Sequence, residues 1–211
     1  MKSEKWFFLI FYKQIRNELD IVSKITHKAF PAFKTFIEDP ELGYYICITE
    51  YCPYISLETF LATASISKSE AKTILSQIDL GLRYLHSQAI IHRDFNPTNI
   101  LIDPFTFSIK IIDFGLSKIL KNLEDDEELD SPEGNPKYRA PHNGDIKNPF
   151  FEDIWGLTCI GLSLFFNEEM CSKKMWCVFQ DFQRNKTNFM PKHESTEEIC
   201  EFLERLLLAF K

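Results

Sequence analysis

The sequence predicts an α+β fold in two parts, a strand-rich N-terminal part and a mainly helical C-terminal part. Short runs of aromatic and β-branched residues come before residue 53, whereas helical patterns with capping signals follow residue 56. The 211 residues suffice for two small lobes around a cleft, and we expect the lobes to span 1–53 and 54–211 and to meet near residues 50–55.

A strand, a helix and a two-stranded hairpin are predicted in the N-terminal part. The run WFFLIFY at 6–12 is short and rich in aromatic residues, which is typical of a strand. The runs FKTFIE and YYICITE predict a hairpin, because the intervening DPELG supplies residues suited to a turn. Between the strand and the hairpin, apolar residues at helical spacing indicate an amphipathic helix that ends near His27. These residues are Ile15, Leu19, Val22 and Ile25.

The C-terminal part begins with a helix whose start is marked by a capping box, Ser67 to Glu70. This helix should end near His86, and its apolar face is expected to be buried. The runs ILI at 100–102 and IKII at 109–112 enclose a PFTF turn and predict a small hairpin. The residues of the apolar helix face are Ile74, Leu75, Ile78, Leu82 and Leu85.

The remaining elements are a loop and two helices. Residues 121–136 contain EDDEELD, two prolines and a glycine, which indicates a loop. An apolar pattern predicts a helix over 152–166, and a second capping box, Ser195 to Glu198, predicts a final helix. The apolar positions of that last helix are Ile199, Phe202, Leu203, Leu206 and Leu207.

Composition excludes several classes of function. The chain has 24 Lys and Arg against 31 Asp and Glu, a net charge of −7, which argues against general affinity for nucleic acids or anionic membranes. Its six cysteines form no CxxC pair and no zinc-type spacing with histidine, so we expect reduced thiols. The longest apolar run after 6–12, at 157–166, is about half a membrane span. We therefore expect a soluble cytoplasmic protein.

Reactive residue types lie on the loops beside the predicted hairpin. HRDFNPTN, residues 92–99, follows the long helix, and Asp113-Phe114-Gly115 follows the hairpin. One carboxylate can accept a proton from a substrate hydroxyl, while a second carboxylate and an amide oxygen can ligate Mg²⁺ on phosphates. These groups suffice for phosphoryl transfer, in which catalysis is mostly positioning and charge neutralisation.

HRDxxxxN, a hairpin and DFG, in that order, resemble the eukaryotic-type protein kinase family, and more closely its Ser/Thr branch. Further matches carry the resemblance over residues 13–166. It implies a protein-kinase-like two-lobed fold, ATP and Mg²⁺ as cofactors, and a protein substrate. The matching segments are QIRNELDIVSKITHKAF, ITEYCP with SLETFL, GLRYLHSQAIIHRDFNPTNILID, IKIIDFG, GNPKYRAPH and EDIWGL.

The resemblance assigns roles around the reacting groups. It implies that Asp94 is the catalytic base and that Asn99 and Asp113 are the Mg²⁺ ligands. Arg93 matches the residue that pairs with a phosphate on the activation segment. His92 is expected to be a core residue that organises the loop. The acidic run 124–130 could imitate that phosphate, although a solvated loop is the favoured interpretation.

The resemblance also assigns residues to nucleotide binding. The segment ITEYCP, residues 48–53, resembles the hinge that joins the two lobes in the family. Within it, Glu50 and Cys52 would offer backbone groups to adenine. Thr49 would guard the pocket behind the adenine, and Leu101 would form part of its floor.

A further ion pair is implied between a helix and a strand of the small lobe. Glu18 matches the helix glutamate that pairs with a strand lysine in the family. The nearest candidate for that lysine is Lys13, only five residues earlier in the chain.

Several departures from the family pattern bear on activity. No glycine precedes Gly43, so the first 42 residues contain no glycine-rich phosphate loop. Asn96 stands where Ser/Thr kinases have a lysine, and this loss of a cation predicts reduced phosphoryl transfer. His142 replaces the glutamate of the Ala-Pro-Glu segment. We expect a partial small lobe and a large lobe that is incomplete at its C-terminal end.

Two alternatives to an active protein kinase remain. A pseudokinase that serves as a binding module is favoured by the missing glycine loop, Asn96 and His142. A small-molecule phosphotransferase of the aminoglycoside or choline type uses a similar set of Asp, Asn and Asp. The segments GLRYLHSQ, APH and DIWGL argue against the second alternative.

Overall fold

The computed structural model describes residues 15–39, 44–120, 134–141, 148–184 and 196–209. A small strand-rich region is followed by a helical part, which confirms the α+β class. The predicted strand at 6–12 and the acidic loop at 124–130 lie outside the described residues. None of the described helices is long and apolar enough to cross a membrane.

The first helix, α1, covers residues 15–22 and is shorter than the sequence predicts. One more turn follows, since the Ile25 amide donates to the carbonyl of Ile21 at 3.2 Å. The next amide, that of Thr26, donates instead to the hydroxyl oxygen of Tyr84 at 2.9 Å. This contact with a distant side chain ends the helical pattern before His27.

The predicted hairpin is confirmed. Strand β1 spans Phe33–Asp39 and pairs antiparallel with β2, Tyr44–Thr49, with Phe36 opposite Cys47. Its turn residues, 40–43, lie outside the described part of the chain.

The long helix of the C-terminal part forms as the capping box predicts. Helix α2 spans Leu57–Thr63 and α3 spans Lys68–Ser87. The Ser67 hydroxyl accepts a hydrogen bond from the Glu70 amide at 3.3 Å, and the Glu70 carboxylate accepts one from the Ser67 amide at 2.7 Å. The five apolar positions predicted for its inner face are buried.

Short strands connect these helices to the rest of the fold. The predicted small hairpin is confirmed as β5, Ile100–Ile102, and β6, Ile109–Ile111. Strand β3, Ile55–Ser56, pairs with β5, and β4, Ile90–Ile91, pairs with β7, Lys118–Ile119. The sequence did not predict β3, β4 and β7, because pairs of two residues have no detectable period.

Three further helices lie in the described residues of the C-terminal part. Helix α4 spans Phe151–Phe166, α5 spans Ser172–Arg184 and α6 spans Thr196–Ala209. Helix α5 was missed, although Met175, Phe179 and Phe182 are buried at helical spacing. The second capping box begins at Ser195, which lies outside the described residues, as do the side chains of Phe202, Leu206 and Leu207.

Helix α4 belongs to both hydrophobic clusters of the described residues. Leu157, Ile160 and Leu164 pack with residues of α1 to α3 and of the short strands. Trp155 and Cys159, on another side of α4, pack with α5, α6 and residues 138–140. A helix buried on several sides is a rigid support for loops that lie against its first turns.

The loop before η1, a 3₁₀ turn at Pro97–Asn99, lies directly on α4. A Cβ atom at Gly156 would be 2.1 Å from the carbonyl oxygen of Phe95. Only glycine permits this approach of two backbones.

We expect Gly156→Ala to destabilise the protein by about 3 kcal/mol, because backbone atoms have little room to move away. In a helix interior the same change otherwise stabilises by about 1 kcal/mol. Thermal or denaturant unfolding would measure the difference. Gly81→Ala is the matched comparison, since its new Cβ meets the side-chain atoms Ile111 Cδ1 and Ala29 Cβ. A smaller loss is expected there, and equal stability of Gly156→Ala and wild type would contradict the close approach.

Candidate active site

The loop at residues 92–99 is fixed to α4 by one buried carboxylate. The two oxygens of Asp153 accept hydrogen bonds from the amides of His92 and Arg93, each at 2.9 Å. The His86 ring nitrogen Nε2 is 2.9 Å from the same carboxylate. Burial acts to raise the pKa of Asp153, but the hydrogen bond and charge of His86, followed by the interaction with His92, outweigh it, so the pKa is lowered. A charged carboxylate thus holds the start of the loop.

Two residues of the site have a left-handed backbone. The φ angle is +65° at Arg93 and +66° at Asp113. This conformation costs roughly 1–3 kcal/mol for a residue other than glycine, and it often occurs at functional sites. The bond from the Arg93 amide to Asp153 helps to offset that cost.

His92 is a fully buried organiser of the loop rather than an accessible base. Its Nε2 lies 3.1 Å from the Ile112 carbonyl oxygen, and its own carbonyl accepts a hydrogen bond from the Ser117 hydroxyl at 3.1 Å. Its ring contacts Phe95 and Phe114. His92 therefore joins the loop to the segment on both sides of Asp113.

Asp94 is held by three N–H groups. Its Oδ1 accepts from Asn96 Nδ2 at 2.8 Å and from the Asn135 amide at 2.7 Å. Its Oδ2 accepts from Asn99 Nδ2 at 2.8 Å. A carboxylate has about four lone-pair positions, so Oδ2 retains a position for a further donor.

Asn99 and Asp113 are brought together by the backbone. The Ile112 amide donates to the Asn99 carbonyl at 2.9 Å, which places Asp113 next to Asn99. Asp113 is exposed, and its Oδ1 accepts from the Gly115 amide at 3.2 Å. With Asn99 Nδ2 bonded to Asp94, Asn99 Oδ1 and Asp113 Oδ2 are the remaining oxygens. Two hard oxygen donors suit Mg²⁺, which usually completes its shell with water and phosphate.

Glu50 and Cys52, which are expected to offer backbone groups to adenine, differ in which of these groups are already hydrogen-bonded. The Glu50 amide is engaged, because it donates to the Ala32 carbonyl at 2.7 Å. The Glu50 carbonyl accepts only a weak contact from the Cys52 thiol, at 3.8 Å, within the described residues. The Cys52 amide has no acceptor in the same part of the chain. Leu101 is partly buried and lies opposite Ser56 in β3.

Thr49 borders a cavity of about 210 Å³ behind the hinge. Glu18 of α1 and Asp113 line the same cavity, together with apolar side chains such as Phe114. Leu101 is not among the residues that line it. The cavity therefore extends from Thr49, beside the hinge, to Asp113, one of the two residues expected to hold Mg²⁺.

Glu18 is half-buried at the wall of this cavity. Burial, and then the nearby charge of Asp113, raise the pKa of Glu18. Its expected partner, Lys13, lies outside the described residues, and no cation within them pairs with Glu18. The Glu18–Lys13 pair thus stays a prediction.

Two contributors to the site were not predicted from sequence. Asp153 lies in the segment EDIWGL, whose pattern predicts only the start of a buried helix. An acidic residue within so apolar a helix is a signal that a partner must exist. Asn135 acts through its backbone amide, which leaves no signal in residue type.

Replacement of Glu18 by glutamine tests its raised pKa. Because the folded protein holds the proton more tightly than the unfolded chain, ionisation of Glu18 costs stability as the pH rises through the folded-state pKa. We expect Glu18→Gln to have the wild-type melting temperature below about pH 4 and a higher one at pH 7. Glu201→Gln, at an exposed position, is the control. A pH-independent difference would contradict the burial of this carboxyl.

Comparison with known proteins places the chain in one family. The model of the protein kinase domain family matches residues 2–209. Serine/threonine-protein kinase ssp1 of Schizosaccharomyces pombe is 30% identical over 207 residues, covering 92% of this chain and 32% of that protein. Serine/threonine-protein kinase PLK1 of Xenopus tropicalis is 32% identical over 180 residues, covering 83% of this chain and 29% of that protein.

A third relative, serine/threonine-protein kinase PLK4 of Drosophila willistoni, is 28% identical, covering 92% of this chain and 24% of that protein. The chain thus spans a quarter to a third of the length of these curated relatives. The resemblance to eukaryotic-type protein kinases is confirmed, and the chain belongs to the protein kinase family.

Proposed function

We propose that this site transfers the γ-phosphoryl group of ATP to serine or threonine hydroxyls of proteins. The observation that supports this most directly is the fixed carboxylate of Asp94 beside Asn99 and Asp113. The relatives named above are serine/threonine-protein kinases, which supports the choice of acceptor.

Asp94 is the proposed base. Three N–H donors hold its carboxylate in one orientation, with a lone pair of Oδ2 left for the substrate hydroxyl. The hydroxyl proton would pass to Asp94 as the hydroxyl oxygen bonds to the γ-phosphorus, while the bond from that phosphorus to the bridging oxygen breaks and ADP leaves. Fixing the carboxylate before the substrate binds removes the need to reorganise it during the reaction.

Asn99 and Asp113 are the proposed Mg²⁺ ligands. When bound, Mg²⁺ would neutralise charge on the phosphates of the nucleotide. The Asn99 side chain both orients the base and offers a metal ligand, because its nitrogen donates to Asp94 while its oxygen is left for the metal. The base and the metal site are thereby kept in a fixed relation.

Adenine is proposed to bind at the hinge. The Glu50 carbonyl would accept from the exocyclic amine of the base, and the Cys52 amide would donate to the ring nitrogen beside it. Thr49 and Leu101 are proposed to contact the base, and Glu18 with Lys13 to support the phosphates.

Asn96 limits the proposed reaction. It is buried, and its Oδ1 accepts from the amide and the hydroxyl of Thr98, while its Nδ2 donates to Asp94. It orders the loop but brings no positive charge to the transferring phosphoryl group. We therefore propose slow transfer.

A pseudokinase is the second candidate. It is favoured by the neutral Asn96, by the absence of a glycine-rich loop from the first 42 residues of the sequence, and by His142 in place of the family's glutamate. Thermal shift with ATP and Mg²⁺ separates a nucleotide-binding protein from a mere scaffold, since no shift at saturating nucleotide would remove the active-kinase proposal.

Label transfer from γ-labelled ATP to a generic protein substrate tests the base. Asp94→Asn should lower the rate by about 10²- to 10⁴-fold, because the amide cannot accept the proton. Its melting temperature, measured in parallel, controls for folding. Phosphoamino-acid analysis should find label on serine or threonine. Transfer that persists in the variant would show that Asp94 is not the base.

Asn96→Lys tests the missing cation. We expect the new charge to raise kcat by roughly tenfold, a modest part of what one electrostatic group at a transition state can contribute. Asn96→Met is the matched control, because it removes the same amide hydrogen bonds without adding charge. A lysine variant no faster than the methionine variant would refute the electrostatic explanation.

A further inference from the structure

An ion pair connects the hinge to the strand that leads to Asp113. Lys110, in β6, has its ammonium 2.8 Å from the Glu50 carboxylate and 3.1 Å from the Phe30 carbonyl oxygen. The Lys110 side chain is only 14% exposed and that of Glu50 is 38% exposed. Because Lys110 is shielded from water, this pair is screened less than an ordinary surface pair.

Lys110 and Glu50 both form hydrogen bonds with one short segment, residues 29–32. The Glu50 carboxylate also accepts from the Ala32 amide at 3.0 Å, and the Glu50 amide donates to the Ala32 carbonyl. From the other side, the Ile111 amide donates to the Ala29 carbonyl at 2.7 Å. Lys110 and Glu50 therefore complete a polar network of the hinge, segment 29–32 and β6.

The pKa of Glu50 is consistent with an ion pair between Lys110 and Glu50. The hydrogen bond from Lys110, followed by that from the Ala32 amide, lowers the pKa of Glu50. Glu50 is thus charged at neutral pH and binds both donors in the form that accepts hydrogen bonds best.

The pair lies where it can control the hinge. Glu50 follows Thr49, and its carbonyl is the acceptor that the proposed function assigns to adenine. The side chain and the amide of Glu50 are both held, so the orientation of its carbonyl has little freedom. Lys110 lies three residues before Asp113 and joins the hinge to the metal-ligand side of the site.

We propose that Lys110 and Glu50 are positioning residues that fix the hinge for adenine and so determine nucleotide selectivity. The inference rests on the proposed nucleotide site. An acceptor at Glu50 and a donor at Cys52 match the amine and ring nitrogen of adenine. Guanine presents the opposite pattern, an oxygen and an N–H. A fixed carbonyl rejects guanine because the two acceptors would face each other, whereas a loosened hinge could rotate away.

Steady-state kinetics with ATP and with GTP test the selectivity. Lys110→Met should raise the KM for ATP about tenfold, because the misplaced Glu50 carbonyl would lose its hydrogen bond with adenine. The value of kcat should change less than twofold. The preference for ATP over GTP should fall at the same time. Lys110→Arg keeps the charge and should recover most of the wild-type values.

Two further variants separate positioning from general stability. Arg83→Met removes the same charge from an exposed pair with Asp79 on α3, and should leave KM and selectivity unchanged. Glu50→Gln should act like Lys110→Met, and the double variant should be no worse than either single one, since both remove one interaction. Wild-type selectivity in Lys110→Met, or equal losses in Arg83→Met, would overturn the inference.

Hydrogen exchange gives a readout that needs no nucleotide. In Lys110→Met the amides of Ala32 and Glu50 should exchange faster than in wild type, whereas those of α3 should not. If wild-type protein neither binds nor turns over ATP, the proposed function fails. Whether or not ATP binds, unchanged exchange at Ala32 and Glu50 in Lys110→Met would overturn the positioning role of the pair.

Discussion

The buried carboxylate of Asp153 holds the backbone from which the candidate active site is built. A charge taken out of water costs several kcal/mol unless donors replace the lost solvent. Here the amides of His92 and Arg93 and the His86 ring supply them. Since α4 is packed on several sides, the loop at residues 92–99 is attached to a rigid part of the core.

A few polar contacts connect the loop held by Asp153 to the other residues of the site. His92 reaches Ile112, and the Ile112 amide reaches Asn99, so the loop and the segment before Asp113 are tied together twice. Asn99 in turn bonds to Asp94. The residues proposed for proton transfer and for metal binding therefore cannot move independently. Lys110 and Glu50 extend the same principle to the hinge, where the base is proposed to bind.

The sequence predicted those parts of the fold that depend on local pattern. The capping box at Ser67, the long helix and both hairpins follow from periodicity and turn chemistry. The site motifs were identifiable because they are contiguous in the chain. Contacts between distant residues were not, since Glu50 meets Lys110 across 60 positions and Thr26 meets Tyr84 across 58. Helix α5 was missed although its apolar spacing is regular.

Calorimetric binding of ATP tests the central claim, that Asn99 and Asp113 together form the metal side of a nucleotide site ordered by α4. With Mg²⁺ present, wild-type protein should bind ATP at least tenfold more tightly than with a chelator, because the metal joins the phosphates to Asp113. In Asp113→Asn that Mg²⁺-dependent gain should be lost while the weak metal-free binding remains. Equal affinity with and without Mg²⁺, or an undiminished gain in Asp113→Asn, would contradict the account.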